Sequence, residues 1–82
     1  MKWFLYVLQC SDGTYYTGVT TDMKRRLNEQ NTSKRGAKYT KTRRPVKLVY
    51  LSGYESRSSA QKAEYKFKQL TRKQKEAIIN ER

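Results

Sequence analysis

Eighty-two residues suffice for one domain (1–82) with one small core, and exclude a second domain or a deep two-layer enzyme cleft. Apolar residues make up 35% of the chain, and 19 Lys and Arg against 7 Asp and Glu leave a net charge of +12. That excess is self-repelling in a compact state and points to a polyanionic partner. No apolar run approaches the roughly 20 residues of a membrane span, and the run Trp3 to Leu8 is too short for a signal peptide. Cys10 is the single cysteine and histidine is absent, so a disulfide framework, a zinc finger and Ser-His or Cys-His catalysis are excluded. A cytoplasmic protein is expected.

In chain order, the aromatic and aliphatic stretch Trp3 to Cys10 and the similar Tyr15 to Thr20 read as two strands joined through Ser11-Asp12-Gly13. A two-residue turn at Asp12-Gly13 would pair Cys10 with Tyr15. A three-residue loop with Gly13 left-handed would pair Tyr6 with Gly18 and Leu8 with Tyr16. Only the second register puts Tyr6 and Tyr16 on one face, because a one-residue slip turns side chains to the other side of the sheet. Thr21 or Asp22 caps a helix to about Gln30, with Met23, Leu27 and Arg26 on one side. Residues 31–45 lack apolar periodicity and read as a long basic loop, with Gly36 and Pro45 as breakers.

Val46 to Leu51 is a third strand. Ser58-x-x-Gln61 forms a capping box for a second helix whose inward stripe is Ala60, Ala63, Phe67 and Leu70. Thr71-x-x-Gln74 opens a last helix with Ala77 and Ile78 inward. Tyr15, Tyr50, Tyr54 and Tyr65 read as amphipathic edges of the core. The expected architecture is α/β (α+β): a small three-stranded antiparallel sheet flanked by helices, in ββαβαα order.

From Lys24 to Lys47 there are ten basic residues and one acid, Glu29, so this stretch carries +9 of the net charge. Arg25, Lys34, Arg35, Lys38, Arg43 and Arg44, interleaved with Tyr39, suit phosphate contact and base or sugar stacking. Asp12 belongs to the turn, Asp22 to the helix start, and Glu55, Glu76 and Glu81 to the surface. Glu64 differs, since it borders the inward stripe of its helix, where a carboxylate needs a partner. A salt bridge with an arginine and a hard divalent cation both satisfy that need.

Phe4-Leu5-Tyr6, Tyr16-Thr17-Gly18 with its tyrosine ten residues on, Arg26 eight residues after Gly18, and Ala60-x-x-x-Glu64 together resemble the GIY-YIG nuclease superfamily. The stretches YYTGVTTDMKRRL, GAKYTKTRRPVKLVY and SRSSAQKAEYKFKQL resemble its short stand-alone branch. The resemblance implies a divalent-metal-dependent endonuclease hydrolysing DNA with structure rather than sequence preference, in repair or recombination. DNA is the expected partner ahead of RNA, with a protein partner for targeting left open. Carried over, Tyr6 positions or deprotonates the attacking water, and Tyr16 shares its face and hydrogen-bonds the water or phosphate. Gly18 lets substrate approach the strand. Arg26 stabilises charge on the phosphoryl oxygens, and Glu64 holds Mg²⁺ or Mn²⁺. Phe4 stands where the first triplet has its glycine, Val19 where repair members often carry a basic residue, and Gln30 where many members have a histidine. Asn80 is the candidate for a late asparagine that some members use. The alternatives are a non-catalytic nucleic-acid-binding module of the same fold and an RNA-binding accessory protein.

Overall fold

The strand Trp3–Gln9 (β1) is the middle of the sheet, which is why its sequence is a nearly continuous apolar run: Leu5, Tyr6, Val7 and Leu8 are all buried. In this computed structural model, which describes residues 2–81, Tyr15–Thr20 (β2) pairs antiparallel along one edge of β1. Lys47–Tyr54 (β3) pairs along the other. Tyr6 faces Gly18 and Leu8 faces Tyr16 across the hairpin. The loop is the three-residue one. Gly13 has φ 86°, its amide donates to Cys10 O, and the Cys10 amide donates to Thr14 O. Asp12 fixes the loop by accepting from the amide and hydroxyl of Thr14.

Met23–Thr32 (α1) is capped by Asp22, whose side chain accepts from the Arg25 amide, and runs two residues beyond the expected end. Met23 and Leu27 pack on the cluster of Tyr6, Leu8, Cys10 and Val46. The segment read as loop contains one helical turn, Lys38–Lys41 (α2), which carries no periodic apolar signal. β3 begins one residue later and ends three residues further on than expected. Between Val7 and Leu8 its pairing with β1 shifts, so that Tyr6 faces Leu51 but Leu8 faces Leu48. The extra residue lets Leu48 and Leu51, an odd number apart, join the same cluster.

Arg57–Lys68 (α3) is capped by Ser56, whose hydroxyl accepts from the Ser59 amide, so the helix starts before the expected Ser58 box. Ala60 and Phe67 are buried, and Phe67 stacks on Tyr50 at 6.2 Å. Arg72–Asn80 (α4) opens with the expected Thr71–Gln74 capping box. Ala77 is exposed; Ile78 and Ile79 are the half-buried pair, one helical step round from the expected stripe. Tyr65 is 68% exposed and is no core edge, because it sits on the outer side of α3. The order is ββαβαα with the single turn of α2 added. α1 covers the Tyr6 and Leu8 face of the sheet, while α3 and α4 close on Leu5 and Tyr50 from the other. Among the described residues no helix is long and apolar enough to cross a membrane.

Candidate active site

Tyr6 is 1% exposed and its hydroxyl is the focus of the site. Arg26 Nε donates to it at 3.3 Å and Gln30 Nε2 at 3.2 Å. Arg26 and Gln30 are four apart, so one face of α1 presents both to the same oxygen. With two donors aimed at it, the phenol oxygen accepts twice, and its own proton has no acceptor among the described residues. Gly18 makes this geometry possible: a Cβ there would lie 2.6 Å from Tyr6 Cζ and closer still to the hydroxyl. The space over Gly18 is thus held by Tyr6 rather than left open for substrate.

Tyr16 lies on the same face, its ring 6.4 Å from that of Tyr6 and tilted by 41°. Burial, and then the neighbouring Tyr6, push its phenol above the usual tyrosine range, against the opposing fields of Arg26 and Lys68. Tyr16 therefore holds its proton more tightly than a free tyrosine does. Arg26 donates through Nη1 to Glu29 Oε1 at 3.1 Å and to Arg35 O at 2.9 Å, while Nη2 has no partner among the described residues. Burial works against its charge, but the Tyr6 hydroxyl and Glu29 outweigh it and hold the guanidinium above its ordinary value.

Glu64 comes from α3, which packs against β2 and β1. Its side chain is 21% exposed and pairs at 3.1 Å with Lys68 Nζ, the next residue but three on the same helix, and not with an arginine. Glu64 and Lys68 both act on the Tyr16 phenol, which places α3's charged edge beside the tyrosine pair. No group of three His, Cys, Asp or Glu that could hold a metal occurs among the described residues. Glu64 fits a hard cation as one carboxylate donor, with the remaining oxygens left to substrate phosphate and water.

The basic segment divides into two kinds of residue. Arg25, Lys34, Arg35 and Lys38 are exposed. Tyr39 is 38% exposed and stacks on Tyr16 at 6.0 Å. Arg43 lies 3.9 Å over the Tyr39 ring, donates to Tyr39 O at 2.8 Å and pairs with Asp12 at 3.1 Å, tying the segment to the hairpin loop. Arg44 faces inward instead. It donates through Nε to Gln30 O at 2.7 Å and through Nη2 to Ser33 O at 2.6 Å, capping the end of α1. That engagement accounts for Arg44 without a phosphate, contrary to the sequence expectation. Cys10 is buried, which pushes its thiol up and makes it a poor nucleophile.

Sequence reasoning missed the structural weight of Gln30 and the presence of Lys68. Gln30 is fully buried; beyond Tyr6 it accepts the Ala37 amide at 2.8 Å and the Thr40 hydroxyl. The available signal was its four-residue spacing from Arg26. Lys68 was visible only as the i+4 partner of Glu64. Asn80, on α4, is exposed and its side chain makes no hydrogen bond among the described residues, so nothing ties it to the tyrosine pair.

A model of the GIY-YIG catalytic domain matches residues 2–77 of the chain. The UPF0213 protein SAG0778 of Streptococcus agalactiae is 56% identical over 78 residues, covering 95% of this chain and 88% of that protein. The UPF0213 protein DP2720 of Desulfotalea psychrophila is 51% identical over 77 residues, covering 94% of this chain and 70% of that protein. The solution NMR structure of the protein EF2693 from E. faecalis matches with a TM-score of 0.67 at 49% identity, covering 98% of this chain and 84% of that one.

Proposed function

We propose that this chain, which belongs to the GIY-YIG catalytic domain family, is a divalent-metal-dependent endonuclease that hydrolyses phosphodiester bonds of DNA by shape rather than sequence. The family is of nuclease type, and its nucleases generally depend on a divalent metal. The observation that carries the reading is the convergence of Tyr6, Tyr16 and Arg26 on one face, with the Glu64 edge of α3 beside Tyr16.

The residues divide the work by their environments. Tyr6, held on two sides by Arg26 and Gln30, positions the attacking water or, once its own proton has gone to solvent, takes the water's proton as the phenolate. Tyr16 stays protonated and donates to a phosphoryl oxygen. Arg26 turns its unpartnered Nη2 to the same phosphate and stabilises charge that builds there in the transition state. Glu64 would hold Mg²⁺ or Mn²⁺ by its one carboxylate, and such an ion would supply Lewis-acid stabilisation of charge at the phosphate. The exposed Arg25, Lys34, Arg35 and Lys38, with Tyr39 beside them, draw in the backbone without reading bases. The cytoplasm, and a protein partner for targeting, complete the proposal.

Incubation of supercoiled plasmid with Mg²⁺, Mn²⁺ or chelator tests it. Nicking in either metal and none in chelator is expected; DNA binding with no nicking in any condition contradicts it. The second reading, a nucleic-acid-binding module without chemistry, draws on the Glu64–Lys68 ion pair, which satisfies the carboxylate without a metal.

A further inference from the structure

A second anionic subsite lies past the tyrosine pair, and its two cations, Lys68 and Lys75, belong to neither the motif nor the basic segment. Tyr15, Tyr16, Thr17, Tyr39, Lys68 and Lys75 line a cavity of about 210 Å³ between β2, α2 and the last two helices. That volume is below the size of ordinary small-molecule pockets and suits a phosphate with its sugar edge. Its two cations come from different helices, α3 and α4, and converge on one opening.

Lys75 is half-buried on α4, and among the described residues no carboxylate pairs with it. Its ammonium lies 5.8 Å from the Phe67 ring, while the nearby Glu76 is taken by Arg72 at 3.6 Å. A cation so placed in a chain of net charge +12 is unfavourable without a counter-ion. Lys68 pairs with Glu64, but its side chain is 53% exposed, and a pair that open to water is readily exchanged for a stronger anion. The Arg72 guanidinium fixes the cavity's other wall, lying 4.8 Å over the Tyr15 ring and donating to Gly13 O at 2.8 Å.

We propose that this cavity binds the phosphate adjacent to the scissile one, through Lys68 and Lys75, on a floor formed by Tyr16 and Tyr39. The inference rests on the proposed activity for the position of the scissile phosphate, and it gives Lys68 two partners. Without substrate it neutralises Glu64; with a phosphodiester chain in place it turns to the flanking phosphate and leaves the Glu64 carboxylate free for the cation.

The test is titration of the full chain with thymidine 3′,5′-bisphosphate, without metal, followed by amide chemical shifts. Shifts at Tyr15 to Thr17, Lys68 and Lys75 are expected. Lys75→Gln should weaken binding about tenfold, the loss of one charge-assisted contact. Lys62→Gln removes the same charge from the outer side of α3, beside Tyr65, and should change binding less than about twofold. Lys75→Arg should retain most of the affinity. Shifts confined to residues 24–47, or equal losses from Lys75→Gln and Lys62→Gln, would overturn the subsite. A protein that binds the bisphosphate here and never nicks plasmid keeps the subsite and loses the proposed activity. One that nicks plasmid with the bisphosphate shifts absent from the cavity does the reverse.

Discussion

The hairpin and the basic segment both contribute to the site, but different forces hold them. The hairpin is fixed by a dry core: four successive residues of β1 are buried, and register follows from which of them must face α1. The segment from Ser33 to Pro45 offers little apolar surface and hangs on polar contacts to the end of α1. Gln30 accepts from Ala37 and Thr40, and Arg44 donates to Gln30 O and Ser33 O. Apolar burial tolerates small adjustments, whereas a buried polar network loses most when one partner is removed. The basic segment should therefore be the more fragile half to polar substitution and the hairpin the more fragile to added volume.

Gln30→Leu should break the polar half most severely. Leucine suits a helix and conserves volume, yet it leaves the Ala37 amide without a partner and takes one of two partners from both the Tyr6 hydroxyl and the Thr40 hydroxyl. A loss of about 3 kcal/mol is expected, which lowers the thermal midpoint by roughly 15 °C in a domain of this size. A fall of only a degree or two would show that the segment is held some other way. Gly18→Ala should break the dry half: the added methyl meets the Tyr6 ring, costs about 1–3 kcal/mol, and displaces the phenol from Arg26. Calorimetry checks the first effect, and cleavage rate, reduced beyond what unfolding explains, checks the second.

Arg44→Ala sharpens the contrast. It should cost about 1.5 kcal/mol and raise amide exchange through residues 33–45, while the β1 amides keep their protection. Uniform loss of protection would mean that the two regions are one cooperative unit. Smaller still is a pH effect from Tyr16. Its folded-state phenol titrates above the ordinary tyrosine value of 10.0, so the native state holds the proton more tightly than the unfolded chain. The stabilisation this supplies is full below that value and is lost as pH rises through the folded one. Thermal midpoints measured from pH 9 upward should fall, and Tyr16→Phe should flatten the decline.

The same contrast decides what was legible in the sequence. The hairpin residues allowed two registers, and the shared face that one site asks of Tyr6 and Tyr16 singled out the three-residue loop with Gly13 left-handed that the structure shows. The Thr71–Gln74 box was readable because capping is local. The shift in β3 opposite Val7 and Leu8 was not, since a bulge answers to both neighbours of the strand and its own residues look regular. Nor was the turn of α2, which owes its shape to Gln30 seven and ten residues away. Arg44 and Arg43 stand side by side in sequence, yet one caps a helix and the other clasps a tyrosine; only tertiary contacts separate them.

The central claim is that Glu64 serves chemistry and not the fold. Its most direct test is Glu64→Ala, with plasmid nicking, DNA affinity and thermal midpoint measured on the same preparation. Alanine fits a helix and no buried apolar volume is lost, and the Lys68 pair it removes is partly exposed. Metal-dependent nicking should disappear, DNA affinity should hold or rise slightly as one negative charge is deleted, and the midpoint should move by no more than a few degrees. A collapsed thermal transition, in a protein whose wild type does not nick, would make Glu64 a structural ion-pair member and contradict the account.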